Sequence, residues 1–247
     1  MGRYYYDLHL HSCLSPCADN DNTPHNLVGM GVLAGLQIMA LTDHNSCRNC
    51  PAFFAAAKAY GIVPVPGMEL TTAEDIHMVC LFADLDSALR FNDEVDERRI
   101  RIPNRTDIFG EQWIWSEQDE PLAEEPDLLS NATTLSLEEG AALVQKYGGV
   151  YYPAHIDRQA NGILATLGML PPTPTFTCVE FRDADNVADY RARYGLDGMT
   201  VVVDSDAHQL GAVQDKCHYL ELDVSGDDAA VRAALLDRLR RGEEAVR

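Results

Sequence analysis

The sequence predicts an α/β fold with a parallel sheet, and three observations predict it. Short apolar runs of strand length alternate with helical stretches along most of the chain, which is the rhythm of repeated βα units. The length of 247 residues suits a single α/β barrel. Six of the eight histidines stand at, or next to, the carboxyl end of a run read as a strand. In a barrel those ends converge on one face, where sites are built.

Residues 4–10 form the first strand, and "DLHLHS" closes it with His9 and His11. Residues 23–36 read as a helix, with Thr23 as N-cap and Pro24 in its first position. "QIMALTDHN" is an apolar strand ending in Asp43 and His44. "CPAFFAAAKAYG" is a helix closed by Gly61. "IVPVPGMEL" and "IHMVCLFA" are strands, carrying Glu69 and His77. "SLEEGAALVQKYGG" is a helix with Ser136 as a capping-box residue, and "VYYPAH" follows as a strand ending in His155. "CVEFRD", "VADYRARYG", "TVVVDSDAH" and "HYLELDV" continue the alternation, and "DDAAVRAALLDRLRRG" is a last helix.

Residues 84–134 break the rhythm. They are acidic, and "IFGEQWIWSEQDEPL" alternates like a hairpin. The expectation is one barrel domain over 1–247 with an inserted acidic hairpin segment at about 84–134, serving as a lid, a homo-oligomer contact or a solvated excursion. There is no internal repeat.

Composition narrows the function. Hydrophobic residues make up 46% of the chain, enough for a real core. No apolar run reaches the ~18–20 residues of a membrane span. The first residues, MGRYYYDLHLHS, lack a signal-peptide core. The expectation is a soluble, cytoplasmic protein with no membrane partner. The formal net charge of -20 argues against a long nucleic acid, because such partners are held by neutralising phosphates. A small phosphorylated substrate remains open, since local cations can make a positive pocket in an acidic protein. The 7 cysteines do not suggest a disulfide framework. Cys47 and Cys50 form a CxxC pair that reads either as a metal or redox site near the mouth of the cluster or as ordinary reduced thiols.

Asp204, Asp206 and His208 of "DSDAH" complete the strand-end residues. One histidine alone reads as a hydrogen-bonded structural residue. Six at equivalent positions, with carboxylates among them, point to a multinuclear metal site. Mixed imidazole and carboxylate donors suit zinc, manganese or iron.

"HLHS", "ALTDHN", "GMEL", "IHMVCLF", "PAH" and "DSDAH", in that order, resemble the PHP (polymerase and histidinol phosphatase) family. The resemblance implies a distorted seven-stranded β/α (TIM-like) barrel and a centre of two or three divalent metal ions that hydrolyses phosphoesters. It implies one metal on His9, His11, Glu69 and Asp206, and a second on Glu69, His77 and His155, with Glu69 bridging. A third would use His44, His208 and a residue of the loop after HxH. That residue is usually a histidine in the family, and the matching position here is Cys17, which also reads as a plain loop thiol.

Such a centre would lower the pKa of a bridging water and offset phosphoryl charge. Asp43 or His44 would position the nucleophile or serve the leaving group. Arg158 or Arg182 would bind phosphate, or else form surface salt bridges, and Asp204 would orient a ligand histidine. The substrate expected is a phosphomonoester such as histidinol phosphate, or a nucleotide; no polymerase module accompanies the motifs. Amidohydrolase- or lactonase-type hydrolysis is the alternative reaction class. A non-enzymatic, metal-stabilised regulatory module is the alternative outside enzymes.

Overall fold

The computed structural model describes residues 2–224 and 226–242. Strand β1 (Gly2–Leu10) leads into a loop and helix α1 (Pro24–Ala34). The Thr23 hydroxyl caps α1 by accepting from the Asn26 amide, and Gly35 ends it at φ +78°, a conformation glycine adopts without a Cβ penalty. Then come β2 (Ile38–Leu41), α2 (Cys50–Tyr60), β3 (Val63–Thr71) and β4 (His77–Leu81).

Helix α3 (Leu85–Asp96) lies within the stretch read from sequence as an excursion. Asp84 caps it, and Ala88, Phe91 and Val95 are buried in the core. Beyond it are the short α4 (Thr106–Phe109) and the antiparallel pair β5 (Trp113–Trp115) and β6 (Pro121–Glu124). The chain continues through α5 (Leu137–Lys146), β7 (Val150–Pro153), α6 (Ile163–Leu167), β8 (Cys178–Phe181), α7 (Val187–Tyr194), β9 (Thr200–Val203), β10 (Tyr219–Leu222) and α8 (Asp228–Arg241). Ser136 and Glu139 form a reciprocal capping box on α5. Among the described residues no helix is long and apolar enough to cross a membrane.

Six strands form one curled sheet in the order β10-β1-β2-β3-β4-β7. The pairs β1–β2 and β2–β3 are parallel, as the βα rhythm predicts. The wholly parallel expectation fails elsewhere: β4 runs antiparallel to both β3 and β7, and β10 antiparallel to β1. For β4 the physical reason is connection length. Only residues 72–76 join β3 to β4, and a parallel crossover needs a dozen or more residues. The parallel pair β8–β9 stands across the open side of the curl. The Ile156 amide bonds the Glu180 carbonyl, and Leu10 bridges Ala207 just after β9.

Strand alternation divides the core in two. Met39 and Leu41 of β2 pack outward with Leu27 and Val28 of α1 and Phe53 of α2. Ile38 and Ala40 of the same strand pack inward with Tyr6, Leu8 and Val65, closed below by Leu235, Leu236 and Leu239 of α8. The filled interior leaves the other end of the curl for polar side chains.

Candidate metal centre

That end gathers the strand-end residues. His9 is in β1, His11 just past it, and His44 follows β2, where it bridges Glu69 of β3. His155 follows β7, and Asp206 and His208 follow β9. His77 is the first residue of β4 rather than its end. Because β4 runs antiparallel, its beginning lies where its neighbours finish. The sequence placed His77 in the right cluster while giving its strand the wrong direction.

Glu69 is the centre of the arrangement. Its Oε1 lies 2.7 Å from His77 Nδ1, 3.2 Å from His155 Nε2 and 3.3 Å from His9 Nε2. Its Oε2 lies 2.9 Å from His44 Nδ1 and 3.3 Å from His11 Nε2. Asp206 Oδ1 is 3.2 Å from His11 Nε2 and 3.5 Å from both His9 Nε2 and His208 Nδ1. Among the described residues three overlapping donor sets lie within 4.8 Å: His9, His11, Glu69 and Asp206; His44, Glu69 and His77; and His11, His44 and His208. His44 thus adjoins the second set as well as the third.

The outer contacts fix which ring nitrogens face the cluster. His9 Nδ1 donates to Glu180, 2.9 Å from each carboxylate oxygen, which leaves the Nε2 lone pair inward. His11 Nδ1 donates to Ser15 Oγ at 3.0 Å, and that hydroxyl donates to Asp43 Oδ1 at 2.7 Å. His9 Nε2 and His11 Nε2 stand 3.1 Å apart, an unfavourable meeting of lone pairs without a proton or cation between them. His44 Nδ1, His77 Nδ1 and Glu69 Oε2 are buried without an aligned hydrogen-bond partner. Such orphans cost on the order of 1–3 kcal/mol each, and a divalent cation among them would satisfy all three. The donor set fits a metal.

The field agrees. Burial alone would lower His9, but Glu180, Glu69 and Asp206 outweigh it and hold the imidazole well above its usual pKa. Burial would raise Glu69, but His77, His9 and His44 bring its carboxyl well below the usual range. Asp206 is also depressed: His9 and His11 overcome the effect of burial. A site that favours positive charge this strongly also favours a cation. His155 and Asp206 adopt φ of +28° and +45°, backbone strain of the kind found where a site over-determines its geometry.

A cavity of about 320 Å³ opens on the cluster, lined by Cys17, His44, Glu69, His77, Ser130, His155, Arg158, Asn161, Asp206 and His208. Arg158 Nη1 donates to Asp206 Oδ2. Cys17 is exposed. Desolvation would raise its thiol, but His44 and His208 outweigh it and lower the pKa to about 5.

Other expected residues lie elsewhere. The Asp43 carboxylate accepts from the Ser12 amide, the Ser12 hydroxyl and the Ser15 hydroxyl. It braces the loop after β1 rather than facing the cavity. Arg182 is exposed outside the cavity, with Nη1 3.4 Å from the Asp204 carbonyl. Asp204 accepts from the Leu8 amide at 2.6 Å, so the carboxylate that orients His9 is Glu180 instead. Cys47 and Cys50 are each 1% exposed, and Cys47 Sγ donates to the Gly67 carbonyl. The pair packs into the core and does not sit at the mouth.

Glu180, Ser12 and Ser15 were missed from sequence. A glutamate inside the apolar "CVEF" was the available signal, since a buried charge needs a partner. The serines gave none, because serine is common in loops.

A family model for the PHP domain matches residues 7–152, more than half of the chain. An error-prone DNA polymerase of Nocardia farcinica is 42% identical over 67 residues, 27% of this chain and 6% of that one. The chain therefore spans only a small part of the curated relatives it matches. Among solved structures, a lesion-specific endonuclease from Pyrococcus furiosus superposes with a TM-score of 0.67 at 16% identity, over 96% of this chain and 56% of that one. A chain from Bifidobacterium adolescentis assigned as a metal-dependent phosphoesterase gives a TM-score of 0.53 at 18% identity, over 93% and 95%.

Proposed function

The chain belongs to the PHP domain family, and from that premise we propose that it is a metal-dependent phosphoesterase acting on a small phosphorylated substrate. The observation that carries the reading is Glu69, whose two carboxylate oxygens are ringed by five imidazoles at 2.7–3.3 Å. In this reading His9, His11, Glu69 and Asp206 hold one ion, Glu69, His77 and His155 a second, and His44 and His208 a third. Two or three zinc, manganese or iron ions would occupy the centre. Bound divalent cations supply an activated water at neutral pH and offset charge on the phosphoryl oxygens.

The chain's own residues do the rest. Arg158 reaches from the rim toward Asp206, and its second nitrogen is the group for a phosphoryl oxygen. Arg182, outside the cavity, is not needed for that role. Asp43 acts through Ser15, holding His11 in its tautomer. The seven strands β1, β2, β3, β4, β7, β8 and β9 serve as one distorted barrel, with residues beyond α3 up to 134 as an insertion. That insertion supplies Ser130 to the cavity wall, and Asn45 donates to its Leu129 carbonyl.

A cavity of about 320 Å³ suits a phosphomonoester or a nucleotide, and the net charge of -20 disfavours a long polyanion. The test is hydrolysis of an aryl phosphate, nucleoside monophosphates and short oligonucleotides by protein loaded with zinc or manganese. The expected result is turnover of a small phosphoester, lost on chelation and restored by metal. Cleavage of amides or lactones with no phosphoester turnover would overturn it.

A further inference from the structure

We propose that Cys17 supplies a thiolate to the His44–His208 end of the cluster, giving this chain one sulfur-bearing metal site beside two built from nitrogen and oxygen. The proposal rests on the cluster being a metal centre, not on which bond it cleaves.

The donor sets differ in charge. The first contains Glu69 and Asp206, and the second contains Glu69. The third, His11, His44 and His208, contains three imidazoles and no anion. A divalent cation held by those three imidazoles would have no anionic ligand of its own, which a thiolate would provide. Cys17 lines the same cavity beside His44 and His208, and a cysteine binds a metal as its thiolate, which would supply the missing anion. His44 is only 4% exposed, and its Nδ1 has no aligned hydrogen-bond partner. Its Nδ1 lies 2.9 Å from Glu69 Oε2, and Cys17 shares the cavity wall with it.

The loop bearing Cys17 is fixed to its neighbours. The Ala18 amide bonds the Ser15 carbonyl, and the Asp19 amide bonds the His208 carbonyl at 2.9 Å. That contact, two residues after Cys17, holds the loop against His208. His208 Nδ1 is engaged by the Asp206 carbonyl at 2.8 Å, so its Nε2 is the nitrogen left for a metal. One thiolate and two or three imidazoles form a soft donor set, which selects zinc, iron(II) or cobalt(II) over manganese. The two carboxylate-bearing sets carry no such preference.

The experiment is cobalt(II) titration of the full chain, read by absorption and by metal analysis. Wild-type protein should show a near-ultraviolet thiolate-to-cobalt charge-transfer band. Cys17→Ser should lose the band and about one metal ion per chain. Cys17→His should keep the ion without the band. Cys217→Ser, at the other exposed thiol, should change neither.

Wild-type protein decides the matter if a variant does not fold. Zinc should slow iodoacetamide labelling of Cys17 by about tenfold or more and leave Cys217 unchanged. No band in cobalt-loaded wild type, a band that survives Cys17→Ser, or equal labelling of Cys17 with and without zinc would each overturn the proposal. Turnover enters none of these readings. A band without phosphoester hydrolysis removes the function proposed above and leaves this site standing; hydrolysis without a band does the reverse.

Discussion

The floor and the mouth of the cluster are built differently. On the floor, His9 and His11 are fully buried and Glu69 is 1% exposed. Each histidine there has its outer nitrogen held, by Glu180 or by the Ser15–Asp43 relay. At the mouth, the His208 side chain is 27% exposed, Arg158 is 45% exposed and Cys17 is open to solvent. The floor fixes donor geometry through packing and outer hydrogen bonds. The mouth keeps positions that a substrate and solvent can reach. Loss of a floor residue should therefore empty the sites that share Glu69, whereas at the mouth loss of Cys17 should cost only the third ion and loss of Arg158 should alter substrate binding alone.

The largest expected effect comes from Glu69→Gln, which removes the negative charge of the carboxylate shared by two donor sets. Metal content should fall by two ions and hydrolysis by at least about 10²–10³-fold, measured by elemental analysis and initial rates. Near-normal metal content in this variant would break the distinction at its strongest point.

Glu180→Gln comes next. It never faces the cavity, yet it holds His9 Nδ1 and accepts from the His155 amide at 3.2 Å. Metal affinity should drop about 10–100-fold with the fold retained, as read by competitive chelator titration alongside circular dichroism. Ser15→Ala should have a smaller effect in the same direction, about tenfold, because it leaves His11 Nδ1 and the His44 amide without their shared acceptor.

At the mouth, Arg158→Ala should raise KM about tenfold or more while metal content stays unchanged. A fall in metal content would move Arg158 into the floor. The smallest effect belongs to Arg182→Ala: stability within about ±0.5 kcal/mol and unaltered kinetics, since that side chain is exposed outside the cavity. Raised KM here would show that the substrate extends past the rim.

The same division explains what was legible in the sequence. Strand-end histidines and Glu69 stood out because polar residues interrupt apolar runs at equivalent points. The caps at Thr23, Gly61 and Ser136 were legible because capping is local chemistry. The direction of β4 depends on its partners, although the short link over 72–76 already favoured an antiparallel return. Helix α3 was hidden by its acidic outer face, even though Ala88, Phe91 and Val95 follow helical spacing. The side on which Asp43 and the Cys47–Cys50 pair lie could not be read, because both follow β2 where the chain turns. Burial pushes the Cys47 thiol up, whereas Cys17, thirty residues earlier in the chain, is lowered by two imidazoles; CxxC spacing carried no information about either environment.

The number of metal ions bound per chain separates a metal centre from a hydrogen-bonded core. It should be measured by elemental analysis of protein titrated with zinc and then manganese, before and after exhaustive chelation. Two or three zinc ions per wild-type chain are expected, removed by chelator and restored on re-addition. Fewer than two ions under saturating metal would contradict that expectation, because the imidazoles around Glu69 would then be a hydrogen-bonded core and not a shared metal centre.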